Sequence, residues 1–171
     1  IFARVEPQAQ TYPEYPHRMA VFGQEVATCQ REFLSTRGTI VGLELATGQK
    51  RWTLGPLNRD ITTVAYSPDG QRLAAGTMGG SLYWFEKTGR QLSQTLVDGE
   101  IRSIAVARDG RVAVGCADLS SRAYVIAPDG KILAYLDAGT NTDVWGLAFS
   151  PKGDILASGH EDGKIRLWSV P

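Results

Sequence analysis

The stretch Ile61-Thr62-Thr63-Val64-Ala65-Tyr66-Ser67-Pro68-Asp69-Gly70 decides how this chain folds, because it returns twice downstream. Its second copy is Ile101-Arg102-Ser103-Ile104-Ala105-Val106-Ala107-Arg108-Asp109-Gly110, and its third is Val144-Trp145-Gly146-Leu147-Ala148-Phe149-Ser150-Pro151-Lys152-Gly153. Each copy joins a short apolar strand to a tight turn. Pro at the second turn position presets its φ and Gly accepts the positive φ that follows, so the chain reverses into another strand.

That next strand also recurs, as Leu73-Ala74-Ala75-Gly76, Val112-Ala113-Val114-Gly115 and Leu156-Ala157-Ser158-Gly159. A third strand follows at residues 81–85, 122–126 and 164–168, and a fourth at residues 91–96 and 131–136. All are far below helical length and bounded by Gly-rich turns, so they read as antiparallel strands. Upstream, residues 39–44, the turn Ala46-Thr47-Gly48 and residues 50–54 supply the third and fourth strands of an earlier unit. Residues 19–22 and 32–35 read as its weaker first and second strands. The units therefore span 19–57, 58–98, 99–139 and 140–171. They follow an N-terminal segment, 1–18, in which residues 1–5 read as a lone strand and Pro7, Pro13 and Pro16 mark an extended connector.

A four-stranded antiparallel unit repeating about every 40 residues matches the blade of an all-β propeller, in which each sheet packs both faces against its neighbours. The last unit ends after three strands, and residues 1–5 are the candidate for its missing edge. About four blades fill the chain. Three closures follow: a compact four-bladed ring, a pair of copies completing a larger ring, or a fragment of a longer polypeptide. A half-ring would expose two apolar blade faces, so pairing is the expectation over a lone monomer.

Composition agrees with this architecture and narrows function. The 171 residues are 43% hydrophobic, enough for a packed core, and 19 of them are Gly, which suits a turn-rich fold. Eighteen Lys and Arg balance 18 Asp and Glu, which removes the electrostatic basis for a nucleic-acid or membrane-surface binder. Cys29 and Cys116 belong to no metal or haem spacing and read as free thiols. No apolar run approaches a membrane span, and the N-terminus carries no leader pattern, so the expected compartment is the cytoplasm.

Residues from about 61 onward resemble tryptophan-aspartate (WD) repeats, and the closest copy runs from Asn141 through Val144-Trp145-Gly146-Leu147-Ala148-Phe149-Ser150-Pro151 and Leu156-Ala157-Ser158-Gly159 to Ile165-Arg166-Leu167-Trp168. The resemblance implies a hydrogen-bonded network of Trp168, Ser158 and Asp162, with Asn141 near the place of a His. Ser169 replaces the terminal Asp, and Glu86 and Glu44 hold the equivalent place in earlier units. The network is therefore expected to be incomplete and the blades to rest mainly on apolar packing. Residues 42–48, followed by Trp52, resemble the tryptophan-docking repeat of pyrroloquinoline-quinone-type propellers. That likeness implies a Trp ring laid against the adjoining blade rather than quinone chemistry, so no cofactor is expected.

Catalytic chemistry finds little support. The only histidines are His17 and His160, and no G-x-S-x-G, P-loop or dinucleotide motif occurs. His160-Glu161-Asp162 is metal-like in composition, but its Gly-flanked turn has a structural explanation, and no metal is expected. Arg102, Arg108, Arg111 and Arg122 read as scattered solvated charges, and Trp84, Trp145 and Trp168 as packing residues. The expected function is a non-catalytic scaffold that binds another protein, with a propeller enzyme (quinoprotein or hydrolase) or a domain of a multidomain regulator as the alternatives. By the resemblance, the contact face carries the loops between second and third strands and those entering the first strand. Arg37, Met78, Leu119, His160 and Glu161 are its candidate residues, and Met78 and Leu119 are chosen as apolar loop tips.

Overall fold

The structure, a computed structural model, describes residues 19–31, 37–117, 122–137, 139 and 142–171. The expectations placed on residues 1–5, the Pro-rich connector with His17, residues 32–35, Leu119 and Asn141 lie outside the described residues.

Among the described residues, fifteen strands form four antiparallel sheets in sequence order. The first holds β1 (Met19–Phe22), β2 (Glu25–Arg31), β3 (Gly38–Glu44) and β4 (Lys50–Leu57). The second holds β5 (Ile61–Tyr66), β6 (Arg72–Thr77), β7 (Ser81–Glu86) and β8 (Gln91–Leu96). The third holds β9 (Glu100–Val106), β10 (Val112–Ala117), β11 (Arg122–Ile126) and β12 (Ile132–Asp137). The fourth has three strands, β13 (Val144–Phe149), β14 (Ile155–His160) and β15 (Ile165–Ser169).

The repeated turn does what its sequence dictates. Gly70 takes φ 67° and its N–H donates to the Ser67 carbonyl at 2.8 Å, while Asp69 accepts from the Gln71 N–H at 3.0 Å. Asp109 accepts from the Arg111 N–H at 3.1 Å, and Ser150 Oγ accepts from the Ile155 N–H at 3.1 Å. The side chains thus satisfy turn amides that would otherwise be left open. The second strand of the first sheet is Glu25–Arg31, upstream of the expected 32–35. A two-residue loop, Gly23-Gln24 with Gly23 at φ 59°, closes this hairpin between the paired Phe22 and Glu25. It lacks the Pro-Asp-Gly signal of the later turns.

Consecutive sheets stack face to face. The core has one apolar layer per junction, and strand alternation decides which residues enter it. Ala27, Ile40, Leu54 and Leu57 of the first sheet meet Ile61, Val64, Leu73, Ala75, Tyr83 and Phe85 of the second. Ala74, Leu82, Trp84 and Val97 meet Ile101, Val112, Val114, Cys116, Tyr124 and Ile126 of the third. Ala113 and Val125 meet Leu156, with Leu147, Phe149 and Trp168 of the fourth packed around them. Each sheet therefore has an upstream face and a downstream face. Trp52 lies across its strand partner Gly42, with no room there for a Cβ, and packs into the first junction.

Hydroxyl groups stitch the same junctions. Thr62 Oγ1 donates to the carbonyl of Ile101, and Ser103 Oγ to that of Val144 at 3.2 Å. Tyr66 donates to Glu25 at 2.6 Å, and burial, with this bond to a carboxylate added, holds the phenol well above its ordinary pKa. Two of the arginines expected to be solvated take part as well. Arg102 lies 5.0 Å over the Trp145 ring, and Arg111 lies 5.7 Å over Phe149 while donating to the Gly153 carbonyl at 2.7 Å. Their flat guanidinium groups cover aromatic rings of the next sheet, which a solvated charge would not do. The four arginines nonetheless form no patch, since Arg102 and Arg111 stand at opposite ends of the third sheet and Arg122 pairs with Asp137.

Packing runs in one direction, β1 on β5, β5 on β9 and β9 on β13. Among the described residues, no strand of the fourth sheet packs comparably on the first. Among the described residues, the four sheets therefore follow one another as an arc whose fourth member does not pack on the first.

Candidate functional site

Because every sheet is a meander whose first strand lies along the next sheet's first strand, the turns between second and third strands gather at one end of the arc. The loops leading into the first strands lie beside them. Backbone bonds tie the two sets together. The Met78 N–H donates to the Asp60 carbonyl at 3.0 Å, the Glu161 N–H to the Asp143 carbonyl at 3.0 Å, and the Val97 N–H to the Gly80 carbonyl at 2.9 Å. Gly80, at φ 74°, is required here, since a Cβ would stand 2.3 Å from the Val97 carbonyl. Loop residues at this end are thus carried on fixed backbone rather than on free tips.

Of the expected contact residues, Arg37, Met78 and Glu161 are exposed on this end, Met78 at 43%. Leu119 belongs to the undescribed part of the β10–β11 connection. His160 is different: it is buried, at 7% exposure, and its ring points between the third and fourth sheets. The reason is strand alternation. His160 is the last residue of β14 and shares a face with Leu156 and Ser158, so its side chain enters the junction.

There it completes a chain of hydrogen bonds. Trp168 Nε1–H donates to Ser158 Oγ at 2.7 Å, Ser158 Oγ lies 2.7 Å from His160 Nε2, and His160 Nδ1 lies 3.4 Å from the Thr142 carbonyl. The Thr142 carbonyl can only accept, which places the imidazole proton on Nδ1 and leaves Nε2 to accept from the Ser158 hydroxyl. Burial holds the His160 pKa below its ordinary value, in keeping with a neutral ring. The network expected from Trp168, Ser158 and Asp162 is thereby corrected. Asp162 faces its own hairpin, accepting from Arg166 at 3.2 and 2.8 Å and from the Lys164 N–H at 3.0 Å. Those bonds hold its carboxyl far below the usual range. His160 and Thr142 are the members that reading by motif missed; the alternation of β14 was the signal for His160.

The equivalent positions of the other sheets carry no such chain. By register, Leu156, Ser158, His160 and Trp168 correspond to Leu73, Ala75, Thr77 and Phe85 in the second sheet and to Val112, Val114, Cys116 and Ile126 in the third. Trp84 sits on the opposite face of its sheet, and its indole N–H has no hydrogen-bond partner among the described residues. No group of three or more His, Cys, Asp and Glu able to hold a metal occurs among the described residues. Nor is any helix there long and apolar enough to cross a membrane.

Stacked antiparallel meanders of three or four strands, with a Trp-Ser-His chain in the last one, define a class, the repeat proteins built from propeller-type blades. Comparison with known proteins agrees. Residues 48–86 and 130–169 match the family model described as WD domain, G-beta repeat. Telomerase protein component 1 of Rattus norvegicus is 26% identical over 72% of this chain, and that of Mus musculus is 29% identical over 65%. The aligned chain spans only 6% and 4% of the lengths of these relatives. The crystal structure of the computationally designed Ika4 protein superposes with a TM-score of 0.71 at 21% identity, covering 92% of this chain and 93% of that one. This last likeness speaks to the fold alone.

Proposed function

We propose that the chain is a non-catalytic interaction module that binds a protein partner through the loop end of its sheets. The observation that carries this reading is the pairing of the Met78 and Glu161 amides with the Asp60 and Asp143 carbonyls. It fixes an exposed Met of the second sheet and an exposed Glu of the fourth at one end of the arc, with Arg37 of the first sheet exposed at the same end. Apolar and charged side chains held on rigid backbone at one end are what a protein interface uses, and they require no reactive group. Cys29 and Cys116 form no disulfide, which accords with a cytoplasmic setting. The great length of the matching relatives supports a second reading, that such a module works as one domain of a larger assembly.

Photo-crosslinkers placed at positions 78 and 161, with position 133 on the outer strand β12 as the control, test the proposal. Adducts of one defined mass from the first two positions and none from the third are expected. Equal labelling from all three would contradict it. Met78→Ala should leave unfolding within about 0.5 kcal/mol of the parent, as befits a loop-tip side chain; a larger loss would make Met78 a packing residue.

A further inference from the structure

The connection from the first sheet to the second carries an arginine that the fold leaves without a carboxylate. Arg51, Arg90, Arg102, Arg111, Arg122 and Arg166 each pair with a carboxylate of their own sheet. Arg59 is exposed and takes part in no ion pair or hydrogen bond among the described residues. Its neighbour Asp60 is buried, and the Asp60 carbonyl accepts from the Met78 N–H at 3.0 Å.

Arg59 is nevertheless held in place. A Cβ on Gly79 would stand 3.1 Å from its Cγ and 3.6 Å from its Cδ, so the stem runs along the bare backbone of the β6–β7 turn. That turn is itself fixed. The Ser81 N–H donates to Thr77 Oγ1 at 3.1 Å, the Gly80 N–H to the Thr77 carbonyl at 3.1 Å, and the Val97 N–H to the Gly80 carbonyl at 2.9 Å. A long cationic side chain guided by rigid backbone loses less freedom on meeting a partner than one that is free in solvent.

Two apolar side chains border the same turn. Met78, 43% exposed, opens it, and Leu96, 68% exposed, is the strand partner of Ser81 at its far end. Ser81 shares a face with Tyr83 and Phe85, which pack into the first junction, so Leu96 lies on the side from which Arg59 arrives. A polyanion does not suit this patch, since one cation serves it and Asp60 and Asp98 stand in the adjoining loops. We propose that it receives a protein segment in which a single Asp or Glu stands beside an apolar side chain. The carboxylate meets the Arg59 guanidinium, and the apolar group rests on Met78 and Leu96. This rests on the loop end being a protein-binding surface and names the chemistry of what that surface takes.

A displayed library of random linear peptides, selected on the full 171-residue chain, is the probe. Enriched peptides should carry Asp or Glu next to Leu, Ile, Met or Phe, and a photo-crosslinker at position 78 should capture them. Arg59→Ala should weaken their binding by about tenfold or more, and Arg59→Glu should instead select peptides with Lys or Arg in the acidic place. Leu96→Ser should weaken binding without altering the preference for an acid. All three variants should keep the parent's circular dichroism and melting temperature, because both side chains are exposed. Peptides captured at position 78 without an acidic preference overturn the proposal and leave the loop end a binding surface, as does binding that neither Arg59→Ala nor Leu96→Ser weakens. A lowered melting temperature in Arg59→Ala would make Arg59 a packing residue and overturn it as well. Failure to capture any peptide at positions 78 or 161 overturns both readings.

Discussion

The third and fourth sheets share one backbone plan and solve its interior differently. Where the third sheet buries Val112, Val114, Cys116 and Ile126, the fourth carries Leu156, Ser158, His160 and Trp168 in the same register. The apolar version packs without directional demands and is covered on both sides. The polar version is covered on its upstream side, and its hydrogen bonds hold the strands of a sheet that has three strands among the described residues. A directional chain stabilises where neighbours are few, because each bond needs only its own partners. That trade predicts that the two sheets fail in different ways.

The largest contrast should come from two glycines in matching register, Gly115 and Gly159. Gly115→Val forces a side chain against Ser103 and Val144 in a filled junction and should cost about 3 kcal/mol or more in urea unfolding. Gly159→Val should cost almost nothing, because nothing stands within 4 Å of its would-be Cβ. Similar losses at both sites would mean that the fourth sheet is already covered.

A smaller loss should follow Ser158→Ala, which strands the Trp168 N–H and His160 Nε2 together and should cost about 2 kcal/mol. Trp168→Phe removes the donor, so the double substitution should cost clearly less than the sum of the two single ones. Additivity would show that the bonds are not coupled.

The smallest effect is one of pH. His160 titrates in the unfolded chain near about pH 6.5, whereas burial keeps its folded pKa lower. The unfolded state therefore binds the proton first as pH falls. Stability should be full above that pH and decline below it, levelling off once the folded pKa is passed. His160→Gln should flatten that limb of a melting-temperature profile; an unchanged profile would assign the decline to other groups.

Much of this was legible in the sequence for a physical reason. The Ser67-Pro68-Asp69-Gly70 type of turn fixes both its own geometry and the phase of the strands around it, so sheets two to four could be laid out residue by residue. The first sheet was harder because Gly23-Gln24 closes a hairpin without Pro or Asp, and the second strand was placed several residues too late. At the site, the loop location of Met78 and Glu161 follows from turn spacing alone. His160 was misread as a loop residue because its flanking Gly, Glu and Asp suggest a turn, although counting alternate residues from Leu156 turns its ring inward. The open face of the last sheet could not be read from residue types, since Ile165 and Leu167, 76% and 71% exposed, look like any other junction residues.

Thiol labelling compares the two sheets most directly, using Val125→Cys and Leu167→Cys with the parent chain as background for Cys29 and Cys116. A cysteine at 167 should react rapidly in native protein, while one at 125 should react only through unfolding. Native-state labelling at 125 as fast as at 167, or a cysteine at 167 that stays protected in native protein, would contradict the stacked-sheet arc with one uncovered end.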